Sequence, residues 1–168
     1  MLGNGAAVAS NTVAYTEGGC DSAIYHTVKV SDACNMYRNI ENPYSNVSTW
    51  VDGFLANKTT GYASVDKNKY GDSTSNYTNV GFSLPASNWI NGFGYSEVVP
   101  YGFVPNSATS TEAYVKDKIF TNTSSGVRSL CVGGHYRFNS DCGLFYFGAD
   151  AGPSYTYANL GSRLIYLS

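Results

Sequence analysis

Turn-forming residues recur so densely along this chain that few stretches remain in which a helix could run. Glycine alone supplies 18 of the 168 residues, and asparagine and serine interrupt most apolar segments. Glycine and asparagine lower helix stability and favour turns, so such a chain is expected to be built from short strands and loops. One helix signal stands in the first half: Ser31 or Asp32 is placed to cap a short helix through Tyr37 or Arg38, with Ala33, Cys34 and Met36 inside it. The strand signals are Ala23–Val30, the apolar alternation from Asn46 to Phe54, the runs Val127–Val132 and Gly143–Phe147, and a terminal strand over Ser162–Leu167. Thr111–Lys118 reads as a strand more than as a helix. Residues 56–79 are polar and turn-rich, the pattern of functional loops inside a compact domain. The expected fold class is therefore α+β, a single domain over residues 1–168, helix-poor and loop-rich, with short antiparallel strands concentrated toward the C-terminus.

Charge narrows the function. Ten basic residues face 12 acidic ones, a formal net charge of -2. The tightest basic cluster, Lys67 and Lys69, is flanked by Asp66 and Asp72, so no stripe exists to neutralise a nucleic-acid backbone. No apolar run nears the roughly 20 residues that a membrane helix needs, and membrane insertion is not expected. What remains unusual is 15 tyrosines among many serines, asparagines and glycines, with only 13% charged residues. Two readings share that mixture: a binding surface, in which tyrosine supplies rigid contact area and the small polar residues adaptable hydrogen bonds, or a β protein whose turns need glycine and asparagine.

Cys20, Cys34, Cys131 and Cys142 form no C-x-x-C pair, and His26 and His135 are the only imidazoles, so no zinc site is expected. Cys131 and Cys142 read as free, small apolar residues on buried strands, and a Cys20–Cys34 disulfide is the weaker alternative for the other pair. Asp66–Asp72 begins like a calcium loop, but its twelfth position is Tyr77 rather than a bidentate glutamate, and a solvated turn is the better reading. No G-x-S-x-G elbow occurs, and nothing joins two carboxylates as a glycosidase pair. Neither an enzyme nor a cofactor is expected.

Three segments, in order, carry a resemblance. Tyr37-Arg38-Asn39-Ile40-Glu41-Asn42-Pro43 continuing to Trp50-Val51-Asp52-Gly53, then Cys131-Val132-Gly133-Gly134, then Cys142-Gly143-Leu144-Phe145-Tyr146-Phe147 with Asn159-Leu160-Gly161-Ser162-Arg163-Leu164, resemble phage and prophage fibre proteins. Those proteins are similar to the C-type lectin-like fold shared by formylglycine-generating enzymes and the variable proteins of diversity-generating retroelements. The resemblance implies scaffold roles for Trp50, Gly133, Gly134, Gly161 and Arg163. It also implies a ligand-display segment over 133–160, where His135, Tyr136, Arg137, Phe138, Asn139, Asp141, Asp150, Ser154, Tyr155 and Tyr157 would meet the ligand. Its start implies a domain cut from a longer fibre protein or an abbreviated version. Departures stand beside it. Thr49 and Ser48 replace the glutamate and the first aromatic of the family's calcium-binding stretch, Glu41-Asn42-Pro43 is not a sugar-lectin tripeptide in its usual context, and Cys142 has no second cysteine close to the C-terminus. Calcium-dependent sugar binding is thus not expected.

What the resemblance implies is a phage structural domain on the virion surface, in a fibre, a tail tip or the capsid surface, that attaches to a glycan or protein receptor of the host. A homotrimer is the form expected of a fibre tip. The alternative is a decoration or assembly protein whose aromatic surface packs permanently on other virion proteins.

Overall fold

A computed structural model of the chain describes residues 36–37, 40–41, 47–100, 102–111, 113, 115–135, 138, 141–157 and 159–162. Eleven strands run through them: β1 (Met36–Tyr37), β2 (Ile40–Glu41), β3 (Ser48–Asn57), β4 (Thr60–Ala63), β5 (Thr78–Ser83), β6 (Asn88–Gly94), β7 (Val104–Thr109), β8 (Lys118–Thr121), β9 (Val127–Val132), β10 (Phe147–Ala149) and β11 (Leu160–Gly161). The short β1–β2 ladder pairs Met36 with Glu41 and Tyr37 with Ile40. The other nine strands form one sheet in the order β5-β4-β3-β9-β10-β8-β6-β7, with β11 added beside the start of β3. Most pairs are antiparallel; β10–β8 and β11–β3 are parallel.

The expected α+β class is corrected by this architecture. The described residues hold only 3-10 turns and no α-helix, and the sheet curls into a nearly closed, barrel-like form, so the fold is mostly β. The helix expected through residue 37 fails where it can be checked, since Met36 and Tyr37 are strand; residues 31–35 lie outside the described set. The strands are also not gathered toward the C-terminus. Residues 56–79, read as loop, contain β4 and the beginning of β5.

Curling of the sheet follows from where its apolar residues sit. Phe54 and Ala56 of β3, Ala63 of β4, Val80 of β5, Ile90 of β6, Val104 of β7, Ile119 of β8, Leu130 of β9, and Phe147 and Ala149 of β10 all belong to one buried cluster. Strands from opposite ends of the sheet can share a core only if the sheet wraps around it. Near the seam the Phe82 ring of β5 lies over Gly94 of β6, where a β-carbon would come 2.5 Å from the ring. Glycine is therefore needed for that approach. A second irregularity bends β3: its pairing with β9 jumps between Val51 and Leu55, and Gly53 sits there at φ +85° with its carbonyl accepting the Ser64 N–H. Bulges of this kind raise local twist and help a sheet to close.

Two further expectations are corrected. Thr111–Lys118 is not a strand: β8 starts only at Lys118, and Lys116 adopts φ 54°, a left-handed conformation that breaks extended backbone. Gly143–Phe147 is mostly a turn, closed by the Tyr146 N–H on the Gly143 carbonyl, and the strand begins at Phe147. The segments expected as strands at 23–30 and 162–167 fall outside the described residues, apart from Ser162, which is not strand. Among the described residues no helix is long and apolar enough to cross a membrane.

Candidate functional site

Strands β3 and β9 pair Trp50 with Cys131, and these side chains pack together on the face turned away from the barrel core. Cys131, Cys142 and Tyr146 are buried there, with Trp50, Phe120, Phe138 and Leu160 against them. Close packing depends on two glycines. A β-carbon at Gly148 would meet Cys131 Sγ at 2.6 Å and the Tyr146 ring at 3.0 Å, and one at Gly134, which holds φ +62°, would run into Cys142. Gly133 is likewise at positive φ, +80°. The aromatic layer is ordered: Phe138 stacks on Phe120 at 5.0 Å and on Tyr146 at 5.2 Å, and the His135 ring lies 3.9 Å from Phe138.

The chain leaving β10 covers the rim of this layer. The Ser129 N–H donates to the Ala151 carbonyl, the Tyr155 N–H closes a turn on Gly152, and the Ser48 N–H donates to the Asn159 carbonyl before β11 docks on β3. Between that segment and the sheet lies a cavity of about 460 Å³. Its walls include Phe138, Tyr146 and Tyr155 as rings, and Arg128, Asp150, Ser48, His135 and Asn159 as polar groups.

Two polar atoms on this lining are buried without a hydrogen-bond partner: Ser48 Oγ and Arg128 Nε. Ser48 is 1% exposed. The neighbouring Cys131 thiol senses that hydroxyl, which only partly opposes the burial that drives the thiol up to about 12. A thiol is a weak partner, and the pair does not reach hydrogen-bond geometry. Arg128 spends one terminal N–H on the Val127 carbonyl. Loss of water around Asp150 pushes its carboxyl above the ordinary carboxylate range although part of the side chain stays in solvent; its own backbone N–H and the Arg128 guanidinium pull the other way. Native interiors rarely leave such atoms orphaned, and two of them on the lining of one cavity make it the candidate site.

Comparison of the chain with protein-family models, with curated proteins and with solved structures returns no match. The site therefore has to be read from its own chemistry.

Of the residues expected to meet a ligand, His135, Phe138, Asp150 and Tyr155 come together on the cavity. Tyr157 stands beside it, stacked on Tyr155 at 6.2 Å and 13°, both rings half exposed. Ser154 is exposed and does not line the cavity. Asp141 is placed elsewhere, its carboxylate 2.8 Å from Lys118 Nζ, which also rides over the Trp89 ring. Tyr136, Arg137, Asn139 and Arg163 lie outside the described residues, as do Cys20 and Cys34.

Ser48, Arg128, Tyr146 and Asn159 were not among the expected contacts. Arg128 had a legible signal, a lone guanidinium inside the apolar run Val127–Val132. Ser48 had none, because its place in the fold depends on β11 pairing with β3, which sets Leu160 opposite it from far along the chain.

Cys131 and Cys142 are free and buried, Cys131 on β9 and Cys142 in the loop ahead of β10 rather than on a strand. Burial drives the Cys142 thiol up, the Asp117 and Asp141 carboxylates add to the effect, and its S–H points at the His135 carbonyl. A nucleophilic cysteine needs the opposite surroundings. Asp66, expected in a solvated turn, caps the exposed 3-10 turn Lys67–Lys69 by accepting the Asn68 N–H. No group of three or more metal-ligating side chains occurs among the described residues.

Proposed function

We propose that this domain recognises a ligand through the cavity between β9, β10 and the 150–160 segment, and that it serves a phage particle as an attachment module for the host surface. The observation that carries the recognition reading is the pair of orphaned polar atoms, Ser48 Oγ and Arg128 Nε, set among aromatic rings. The attachment role rests on the resemblance of the three segments quoted above to phage fibre proteins. Tyr155 and Tyr157 are rigid amphipathic side chains at the mouth, the type that supplies contact area at low entropic cost. Single-site affinity would be modest, and several copies on one particle would raise avidity.

The test is binding of the domain, displayed on beads in many copies, to a panel of bacterial strains. Wild type is compared with a Tyr155→Ala/Tyr157→Ala variant whose unfolding midpoint is unchanged. Binding to some strains that the variant loses is the expected result. Equal binding by both proteins, or none by either, removes the attachment reading.

A second reading, permanent packing on another virion protein, draws on a different place. Phe103 is 70% exposed and makes edge contacts with Phe93 and Phe145, beside exposed Leu144. Permanent interfaces are more apolar than transient ones, and this patch is more apolar than the cavity mouth.

A further inference from the structure

We infer that the cavity takes a neutral pyranose unit of a glycan, held by side chains directly and without a metal ion. The inference rests on the recognition reading above and names its ligand class. Arg128 and Asp150 line the same cavity with opposite charge and form no ion pair with each other. An anionic ligand would satisfy the guanidinium and meet the carboxylate; a cationic one would do the reverse. A purely apolar ligand would leave Ser48 Oγ and Arg128 Nε as dry as they are now. A hydroxyl both donates and accepts, so two adjacent hydroxyls accept from Arg128 and donate to Asp150 at once, while a third answers Ser48.

The rings supply the other half. A pyranose is edged with hydroxyls but presents faces of C–H bonds, whose slight positive charge suits the negative face of an aromatic ring. Tyr155 and Tyr157 offer two nearly parallel rings at the mouth, and Phe138 with Tyr146 forms the stacked floor. The volume of about 460 Å³ falls in the ordinary range for small-ligand sites. Among the described residues no cluster of metal ligands lies in or beside the cavity, so the hydroxyls meet protein groups.

The full chain is screened on a glycan array in EDTA and then titrated by calorimetry or NMR with the methyl glycosides of glucose, galactose, mannose and N-acetylglucosamine. Glycine and acetate are run in parallel as a small zwitterion and a small carboxylate. Expected is binding of at least one glycoside with a Kd on the order of 1 mM, as a ligand of few atoms allows. Asp150→Ala and Tyr155→Ala should each weaken it tenfold or more, and both positions are exposed enough for the fold to survive. Phe103→Ala, outside the cavity, should leave it unchanged. No binding on the array or in the titrations overturns the inference, as does binding of glycine or acetate alone, or sugar binding that both cavity variants retain. If strains are bound but no sugar is, the recognition reading stands and the saccharide inference falls. Sugar binding without strain binding removes only the attachment role.

Discussion

Strands β3, β9 and β10 serve two surroundings built on opposite principles. Toward the barrel they present Phe54, Leu130, Phe147 and Ala149, close-packed and all apolar. On the outer side Ser48 and Cys131, with the nearby Tyr146 and Arg128, line a cavity that retains unpaired polar atoms, and Trp50 packs against Cys131 and Tyr146. The interior stabilises by removing apolar surface from water, at roughly 1.5–3 kcal/mol for each large side chain. The cavity lining instead leaves Ser48 Oγ and Arg128 Nε buried without a hydrogen-bond partner. The difference separates residues that hold the fold from residues of the proposed site, and it can be broken by experiment.

The largest effect is expected in the barrel. Phe147 is 5% exposed and meets Phe54 edge-on at 5.3 Å. Phe147→Ala should cost about 3–5 kcal/mol of unfolding free energy, the usual cost of an emptied aromatic site in a packed core. Tyr155→Ala on the cavity rim should stay within about 0.5 kcal/mol. Urea unfolding of both variants checks the contrast, and comparable losses would mean that the rim segment belongs to the folding core.

Asp117 sharpens the contrast, because it is a charge placed where the interior rule forbids one. It is 3% exposed; burial lifts its carboxyl from 3.8 to about 6, and the Phe145 N–H, 2.8 Å away, only partly restores the charged form. Well below pH 3.8 the acid is neutral both folded and unfolded. Between about 4 and 6 the unfolded chain releases the proton while the native chain keeps it, so stability falls as pH rises through this window. A difference of about two pKa units corresponds to about 3 kcal/mol. Asp117→Asn keeps an acceptor for Phe145 and removes the charge, so it should be more stable than wild type at pH 7 and level with it near pH 3.5. A wild-type-minus-variant difference that does not change with pH would sink this account.

How much of this the sequence shows depends on how many inward residues each strand carries. β9 is legible because Val127 and the run Leu130-Cys131-Val132 are interrupted only by Arg128 and Ser129. Strands β5, β6 and β7 each hold few fully buried positions, such as Val80, Ile90 and Val104, among Asn, Ser, Thr and Gly that face outward. A nearly closed sheet needs only one apolar face, so these strands look like loops when read one at a time. Thr111–Lys118 misleads in the other direction: its Val and Tyr suit a strand, yet the left-handed Lys116 and the buried Asp117 turn the chain away. In the cavity, Tyr155 and His135 are reached through the resemblance, which implies a ligand-display segment over 133–160, and both line the cavity. Ser48 is not legible, since a serine opening a strand looks the same whether water reaches it or not.

Ser48 also carries the smallest and most discriminating expectation. Its hydroxyl is buried and unpaired, so Ser48→Ala deletes a polar group that the native state keeps dry without return. In the barrel, where every atom packs, trimming a side chain costs stability. At Ser48 the same operation should leave unfolding free energy unchanged or raise it by up to about 1 kcal/mol, because the desolvation cost disappears with the hydroxyl. Ligand affinity should move the opposite way and fall severalfold, because the group waiting for a ligand oxygen is gone. Urea midpoints and calorimetric titration on one preparation measure both quantities. A loss of 1 kcal/mol or more in stability would show that the hydroxyl already has a partner in the free protein, and the cavity would then be an ordinary wet cleft rather than a site kept ready for binding.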